Sequence, residues 1–303
     1  FRRVLFRSVE GMLKMLRRLL QEDLTLSWHP GAGVWPISID PSQVDQILMN
    51  LCVNARDAIE RSGEITIETG NRVFDPDYCE LHKGFIPGEF VMLAVSDNGC
   101  GMDKNTLEHI FEPFFTTKQK SRGTGLGLPM VYGIVKQNNG FINVYSEPGH
   151  GTTIKIYFPR DKTDLDEVIL PDNQQPETGR GETILVVEDE PALLAMATRL
   201  LESLKYNVLG ASSASEALQM AEKHAGKFHL LLTDVVMPEM NGRELADRLT
   251  AVYPDLKTLF MSGYTANVIA HQGVLDKGMH FIQKPLSINE LAKNVQQILG
   301  NKK

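Results

Sequence analysis

No stretch of this sequence approaches the roughly 20 consecutive apolar residues that a membrane-spanning helix requires. A basic stripe is missing too. Its 31 Lys and Arg face 38 Asp and Glu, for a formal net charge of −7, and that balance argues against a nucleic-acid partner. The short run Arg17-Arg18-Leu19-Leu20 is expected on the solvated face of a helix. Cysteine is scarce: Cys52, Cys79 and Cys100 show no C-x-x-C spacing, which predicts a reducing, cytoplasmic setting. Internal repeats and low-complexity tracts are absent. What remains is a globular composition, 42% hydrophobic and 23% charged, over 303 residues. That length suffices for about two domains of ordinary size.

The first eight residues, FRRVLFRS (1–8), resemble the translation of a sequencing-adapter oligonucleotide. They are set aside as an assembly scar, with the expectation that the gene product continues upstream. Helical spacing of Val9, Met12, Leu13, Leu16, Leu19 and Leu20 predicts a helix over 9–21. LTLSW (24–28) and VWPISI (34–39) read as a strand pair. Asp40 is a candidate N-cap, Pro41 suits the first helical position, and Gln43 stands where a capping box would want it. The helix that follows carries Val44, Ile47, Leu48, Leu51, Ala55 and Ala58 on its apolar side. EITIET (64–69) and EFVMLAVSD (89–97) read as strands, and 128–138 as a helix. FINVYSE (141–147) and GTTIKIYFP (151–159) read as a hairpin through Pro148-Gly149.

Residues 160–181 are polar, hold two prolines and have no periodicity, the composition of a linker. Beyond it, TILVVE, YNVLGA, FHLLLTD, KTLFMSG and HFIQK alternate with helical stretches at 191–204, 214–224, 242–251, 266–275 and 287–299. Five strands alternating with five helices predict a parallel, doubly wound α/β sheet. The C-terminal ends of its strands are where function is expected.

Four elements in the first half point to chemistry. Asn50 and Asn54 share a helix face, with Asp57 one turn on. Oxygens on such a face suit a hard cation such as Mg²⁺, although many helices simply expose a polar face. Asp97 ends a strand and meets Asn98-Gly99-Cys100-Gly101. A carboxylate there can accept from an exocyclic amine such as that of adenine, and the glycines permit close approach; a plain turn would read the same. Phe111, Phe114 and Phe115 are expected to anchor a loop that presents Thr116, Thr117 and Lys118 to phosphates. Gly123, Gly125 and Gly127 then open a helix, an anion site made of backbone N–H groups and the helix dipole.

The stretches NLCVNARDA, DNGCGM, FEPFFTTK and GTGLGL resemble, in this order, the N, G1, F and G2 boxes of sensor histidine kinases. The resemblance covers roughly residues 9–159. It implies a Bergerat-type α/β sandwich, a mixed sheet plus helices, as the catalytic and ATP-binding domain over 9–160. It further implies that Asn54 binds Mg²⁺ with ATP, that Asn50 supports the same site and that Asp97 contacts adenine. Gly99 and Gly101 would shape the base pocket. Lys118, Gly123, Gly125, Leu126 and Gly127 would face the phosphates from a mobile lid. Asp57 is counted with the nucleotide-binding residues, but it stands where many relatives carry Lys, and its role there is left open. Histidine kinases also phosphorylate a histidine in a short H-E/D pattern. His29, His82, His109, His150, His224, His229, His271 and His280 all lack that context. The expectation is a chain that binds ATP but cannot phosphorylate itself.

In the second half, Glu188 and Asp189 end the first strand, Asp234 the third, Ser262 the fourth and Lys284 the fifth. A doubly wound sheet brings these ends to one rim. Three carboxylates there repel one another and call for a cation such as Mg²⁺, leaving one to attack phosphorus. Ser262 and Lys284 can donate to the phosphoryl group. VVEDE, DVVMPEMNG, MSGYTA and KPLS resemble a response-regulator receiver domain, which implies a flavodoxin-like fold over 182–303 after a linker at 161–181. It implies that Asp234 is phosphorylated and that Glu188, Asp189 and the Val236 carbonyl join it around Mg²⁺. It also implies a cis peptide before Pro285 and a switch pair of Ser262 and Phe281.

Together the two resemblances imply a hybrid sensor histidine kinase lacking its N-terminal part, a protein-histidine kinase that passes phosphate from ATP to histidine and then to Asp234. The implied partners are a histidine-bearing dimerisation domain upstream and a downstream phosphotransfer protein or response regulator, with no nucleic acid and a homodimeric parent. The chain itself is expected in the cytoplasm, whatever anchors its parent. Two rivals stand beside this reading: a phosphate-sink receiver with a nucleotide-binding but kinase-inactive companion, and an ATPase of the gyrase or chaperone type. Cys100 beside the adenine site reads as a small filler rather than a redox centre.

Overall fold

The computed structural model describes residues 4–20, 23–74, 76, 79, 85–118, 124–162, 178–224, 228–264, 279–284 and 286–300. The chain divides into two compact units.

The first unit opens with helix α1 (Val4–Leu19), which buries Val9, Met12, Leu13 and Leu16 on one stripe and packs against α2 (Pro41–Ala58). Strand β1 (Leu24–His29) does not pair with 34–39. It runs parallel to β2 (Gly63–Phe74), with Leu26 opposite Ile65. Residues 34–39 form no strand. Pro36 has no N–H to give a ladder, and Trp35 spends its own on the Asn71 side chain at 2.9 Å. Ile37 and Ile39 alternate inward because both enter the core, which produces a strand-like pattern without a strand partner.

Asp40 caps α2 as expected, Oδ1 accepting from the Ser42 amide at 2.8 Å, and Pro41 follows. The capping box does not form. Gln43 Oε1 accepts instead from Asn138 Nδ2 at 2.9 Å, which ties α2 to the far end of α4 (Gly127–Gln137). Strands β3 (Gly88–Asp97), β4 (Phe141–Glu147) and β5 (Gly151–Pro159) complete a mixed sheet in the order β1-β2-β3-β5-β4, and short helix α3 (Lys104–His109) follows β3. Ile65, Val91, Leu93, Val95, Ile154 and Ile156 meet Val44, Ile47, Leu51, Val131 and Val135 in one core. The helices therefore cover one face of the sheet.

The second unit is a parallel sheet in the order β10-β9-β8-β6-β7. Its strands are β6 (Thr183–Val187), β7 (Asn207–Ala211), β8 (Leu230–Asp234), β9 (Lys257–Ser262) and β10 (His280–Gln283). Helices α5 (Pro191–Ser203), α6 (Ala214–Lys223), α7 (Gly242–Val252) and α8 (Ile288–Gly300) connect or close it. The helix expected at 266–275 lies outside the described residues, as do Pro285 and most of the linker. Every residue of β8 is buried, which is why its sequence is an apolar run rather than an alternation. This is the flavodoxin-like α/β arrangement expected, and it sets five strand ends along one rim.

Candidate functional sites

The first unit holds a cavity of about 460 Å³, within the range of about 300–1,000 Å³ usual for small-molecule sites. Helix α2 supplies Asn50, Asn54 and Asp57 to it, the end of β3 supplies Asp97, and the turn after it supplies Cys100, Gly101 and Met102. Leu51, Val95, Ile110 and Ile154 give it an apolar wall. Asp97 is buried at the inner end. Its Oδ1 accepts from the Gly99 amide at 2.9 Å, and burial pushes the carboxyl up to about 6 against the pull of the Gly99 and Thr152 amides. A partner that donates to it would favour the ionised form. The site is narrow here because backbones touch: a Cβ on Gly99 would fall 2.6 Å from the Ala58 carbonyl oxygen, and one on Gly101, at φ +65°, would overlap the Glu147 carbonyl.

The other end of the cavity is polar. Lys118 Nζ lies 2.8 Å from Asp57 Oδ2 and 3.4 Å from Asn54 Oδ1. Arg56 adds a second cation to Asp57 at 2.8 Å. Burial alone would raise the Asp57 carboxyl, but Lys118 and Arg56 outweigh it and hold the group below its ordinary value. Gly125, at φ +63°, accepts from the Phe114 amide through its carbonyl at 2.9 Å. Gly127 begins α4 beside Asn50, where a Cβ would come within 3.0 Å of Oδ1. No side chain caps this helix at Leu126, and its first residues, Gly127 and Leu128, line the cavity, an arrangement suited to phosphate oxygens.

The cavity thus gathers Asn50, Asn54, Asp57, Asp97, Gly101, Lys118, Gly125 and Gly127 from the predicted set. Gly99 supports it from beneath Ala58, Leu126 sits at the helix cap with its side chain partly exposed, and Gly123 lies outside the described residues. The expected phenylalanine anchor is corrected at Phe114, which is 74% exposed at φ +69°. Phe111 and Phe115 are half-buried, packed on Tyr132 and His109, and buried Ile110 joins them in holding the loop. Thr106, Ile110, Thr152 and Ile154 also line the cavity. No motif marks them: Thr106 and Ile110 come from α3 and its exit, and Thr152 and Ile154 come from β5, remote in sequence from the glycine-rich turns.

At the rim of the second unit, ligand oxygens of Glu188, Asp189 and Asp234 lie within 4.8 Å of one another. That donor set fits a hard divalent cation. Lys284 reaches in from the end of β10, its Nζ 2.5 Å from Asp234 Oδ2 and 2.6 Å from Glu188 Oε2. Burial pushes Glu188 up to about 7 although the Lys284 ammonium pulls it back. For Lys284 burial acts downward, but the Asp234 and Glu188 charges overcome it and raise the ammonium above its ordinary range. The Lys284 amide donates to the Ser262 carbonyl at 2.7 Å. Buried Ser262 Oγ accepts from the Tyr264 amide at 3.1 Å, which leaves its hydrogen to donate. The Val236 amide lies 3.4 Å from Asp234 Oδ1, so the chain folds back over the carboxylate. Gly242 is required nearby, since a Cβ there would overlap the Asp234 carbonyl. Phe281 is half-buried against the core of this unit.

Comparison with known proteins adds two family matches. The family of histidine kinase-, DNA gyrase B-, and HSP90-like ATPases matches residues 39–162, and the response regulator receiver domain matches residues 184–296. Sensor kinase CckA of Brucella abortus (strain 2308) is 41% identical over 293 residues, covering 94% of this chain and 31% of that protein. Sensor protein EvgS of Escherichia coli (strain K12) is 28% identical over 269 residues, covering 86% of this chain and 21% of its own length. The chain therefore spans about a third or less of these relatives. Among solved structures, the receiver domain of the hybrid histidine kinase CckA is 37% identical, covering 38% of this chain and 96% of its own, with a TM-score of 0.33.

Proposed function

We propose that this chain, which belongs to the histidine kinase-, DNA gyrase B-, and HSP90-like ATPases over residues 39–162 and to the response regulator receiver domains over 184–296, is the ATP-binding and receiver portion of a hybrid sensor histidine kinase. The observation that carries this reading is the presence in one chain of a cavity grouping Asn54, Asp97 and Lys118 and a carboxylate, Asp234, held by a buried lysine. In this reading residues 9–160 are the kinase domain, 161–181 the linker and 182–303 the receiver.

The ATPase match implies ATP as ligand. Asp97 accepts from the adenine amine, the apolar wall takes the base, and Lys118 with the amides at the start of α4 takes the phosphates. Asn54, supported by Asn50, holds the Mg²⁺ that accompanies ATP. Glu188, Asp189, Asp234 and the Val236 carbonyl hold a second Mg²⁺, which supplies charge neutralisation for an incoming phosphoryl group. Asp234 attacks the phosphorus of a phosphohistidine. The P–N bond breaks as the P–O bond forms, and imidazole leaves with the electron pair. Lys284 and Ser262 donate to the transferred oxygens.

The histidine comes from a dimerisation domain of a homodimeric parent, and phosphate leaves Asp234 for a phosphotransfer protein or response regulator. The chain works in the cytoplasm; among the described residues no helix is long and apolar enough to cross a membrane.

Incubation with γ-labelled ATP and Mg²⁺, with and without a separately made histidine-bearing domain of a relative, tests this. Label is expected on the chain only with the histidine domain present, and lost in Asp234→Ala. Steady ATP hydrolysis without any histidine substrate would favour an independent ATPase. Absence of both binding and label would leave a receiver with a kinase-inactive companion.

A further inference from the structure

Asp57 lines the cavity from α2, and the family resemblance leaves its role there open. It follows Asn50 and Asn54 at i+7 and i+3, so all three oxygens face the cavity. Its carboxylate is occupied: Arg56 donates to Oδ1 at 2.8 Å and Lys118 Nζ to Oδ2 at 2.8 Å. The same ammonium reaches Asn54 Oδ1 at 3.4 Å. Lys118 is therefore drawn down onto α2, where the cation carried by the nucleotide is also placed. The pair is only partly sheltered, with side-chain exposures of 31% and 24%. An ion pair of that exposure is weak enough for a phosphate to displace.

We propose that Asp57 is a stand-in acceptor for Lys118, holding the ammonium on α2 when no terminal phosphate is present and yielding it to that phosphate when ATP binds. This rests on the reading of the cavity as a nucleotide site. Arg56 keeps the carboxylate in place throughout, so the lysine changes partner while the acid stays. A diphosphate offers no terminal group at that position and leaves the pair intact. Breaking the pair is then a cost borne by ATP alone, and Asp57 sets how strongly the site distinguishes ATP from ADP. Asp57 acts through Lys118 and is a positioning residue.

Binding of ADP and of a non-hydrolysable β,γ-imido ATP analogue, each with Mg²⁺, is measured by calorimetry on the whole chain. The variants are Asp57→Asn, Lys118→Met and the double variant, each checked for unchanged melting. In Asp57→Asn the affinity for the triphosphate is expected to rise by up to about fivefold, the limit set by such an ion pair, with ADP nearly unchanged. Lys118→Met should weaken the triphosphate selectively, and adding Asp57→Asn to it should have no further effect.

Acylation of Lys118 by an amine-reactive ester without nucleotide, followed by peptide mass spectrometry, reads the pair directly and should be faster in Asp57→Asn. Equal gains for both nucleotides, a gain that persists in the Lys118→Met background, or an unchanged acylation rate would overturn the proposal. Failure of the wild-type chain to bind either nucleotide would overturn the nucleotide reading itself, and is distinguishable because it appears before any variant is compared.

Discussion

Two lysines in this chain make nearly the same contacts in opposite surroundings. Lys118 lies 2.8 Å from Asp57 with its side chain 31% exposed, and Lys284 lies 2.5 Å from Asp234 and 2.6 Å from Glu188 with only 6% exposed. The first pair stands at the mouth of a cavity, in a medium close to water, where ion pairs are weak and exchangeable. The second sits at the rim of a parallel sheet among buried carboxylates, where desolvation is large and removal of one partner leaves charge stranded. One lysine pairs with a single carboxylate that water reaches; the other holds two buried carboxylates together.

The comparison breaks most visibly through stability. Lys284→Met leaves Glu188 and Asp234 facing each other without a cation and should destabilise the second unit by about 3–5 kcal/mol in chemical denaturation. Lys118→Met, the matching change in the first unit, should cost less than about 1 kcal/mol. Comparable losses from the two would mean that burial does not separate them.

A smaller effect concerns Asp97, whose carboxyl burial pushes up to about 6. Its folded value exceeds its ordinary 3.8, so the native state holds the proton more tightly than the unfolded chain. Its stabilising contribution is fully present below the unfolded value and is lost as pH rises through about 6. The empty fold thus favours the neutral carboxyl by about 3 kcal/mol. A nucleotide that donates its amine to the carboxylate reverses that preference and should bind more weakly as pH falls below about 6. Titration of nucleotide affinity between pH 5 and 8 should show this slope in the wild type and lose it in Asp97→Asn. Least of all, Phe114→Ser should shift the melting of the first unit by less than about 0.5 kcal/mol, as for an exposed side chain elsewhere.

Much of this was legible without coordinates, and the failures are instructive. Asp40-Pro41 announced the start of α2 because capping is a local act of two adjacent residues. The strand ends carrying Glu188, Asp234, Ser262 and Lys284 were legible because alternating strands and helices admit few topologies. VWPISI misled because alternating burial records only which side chains enter a core, and Pro36 with Trp35 had no ladder to join. Phe114 misled because an aromatic in a short apolar run is assumed to anchor, whereas its positive φ and the Gly125 contact turn its side chain outward. Gln43 was read as a local cap, yet Asn138 competed for it across the first unit.

The sequence by itself determined the two α/β units, the order of their elements and the residue types proposed to meet phosphate and metal, since these depend on periodicity, caps and glycine at turns. Only the tertiary structure decided which of those residues share a cavity, that Lys118 rests on Asp57, and that Lys284 is buried between Glu188 and Asp234. The physical reason is that pairing and burial bring together residues dozens of positions apart, and the strength of a charge interaction depends on the dielectric that packing creates around it.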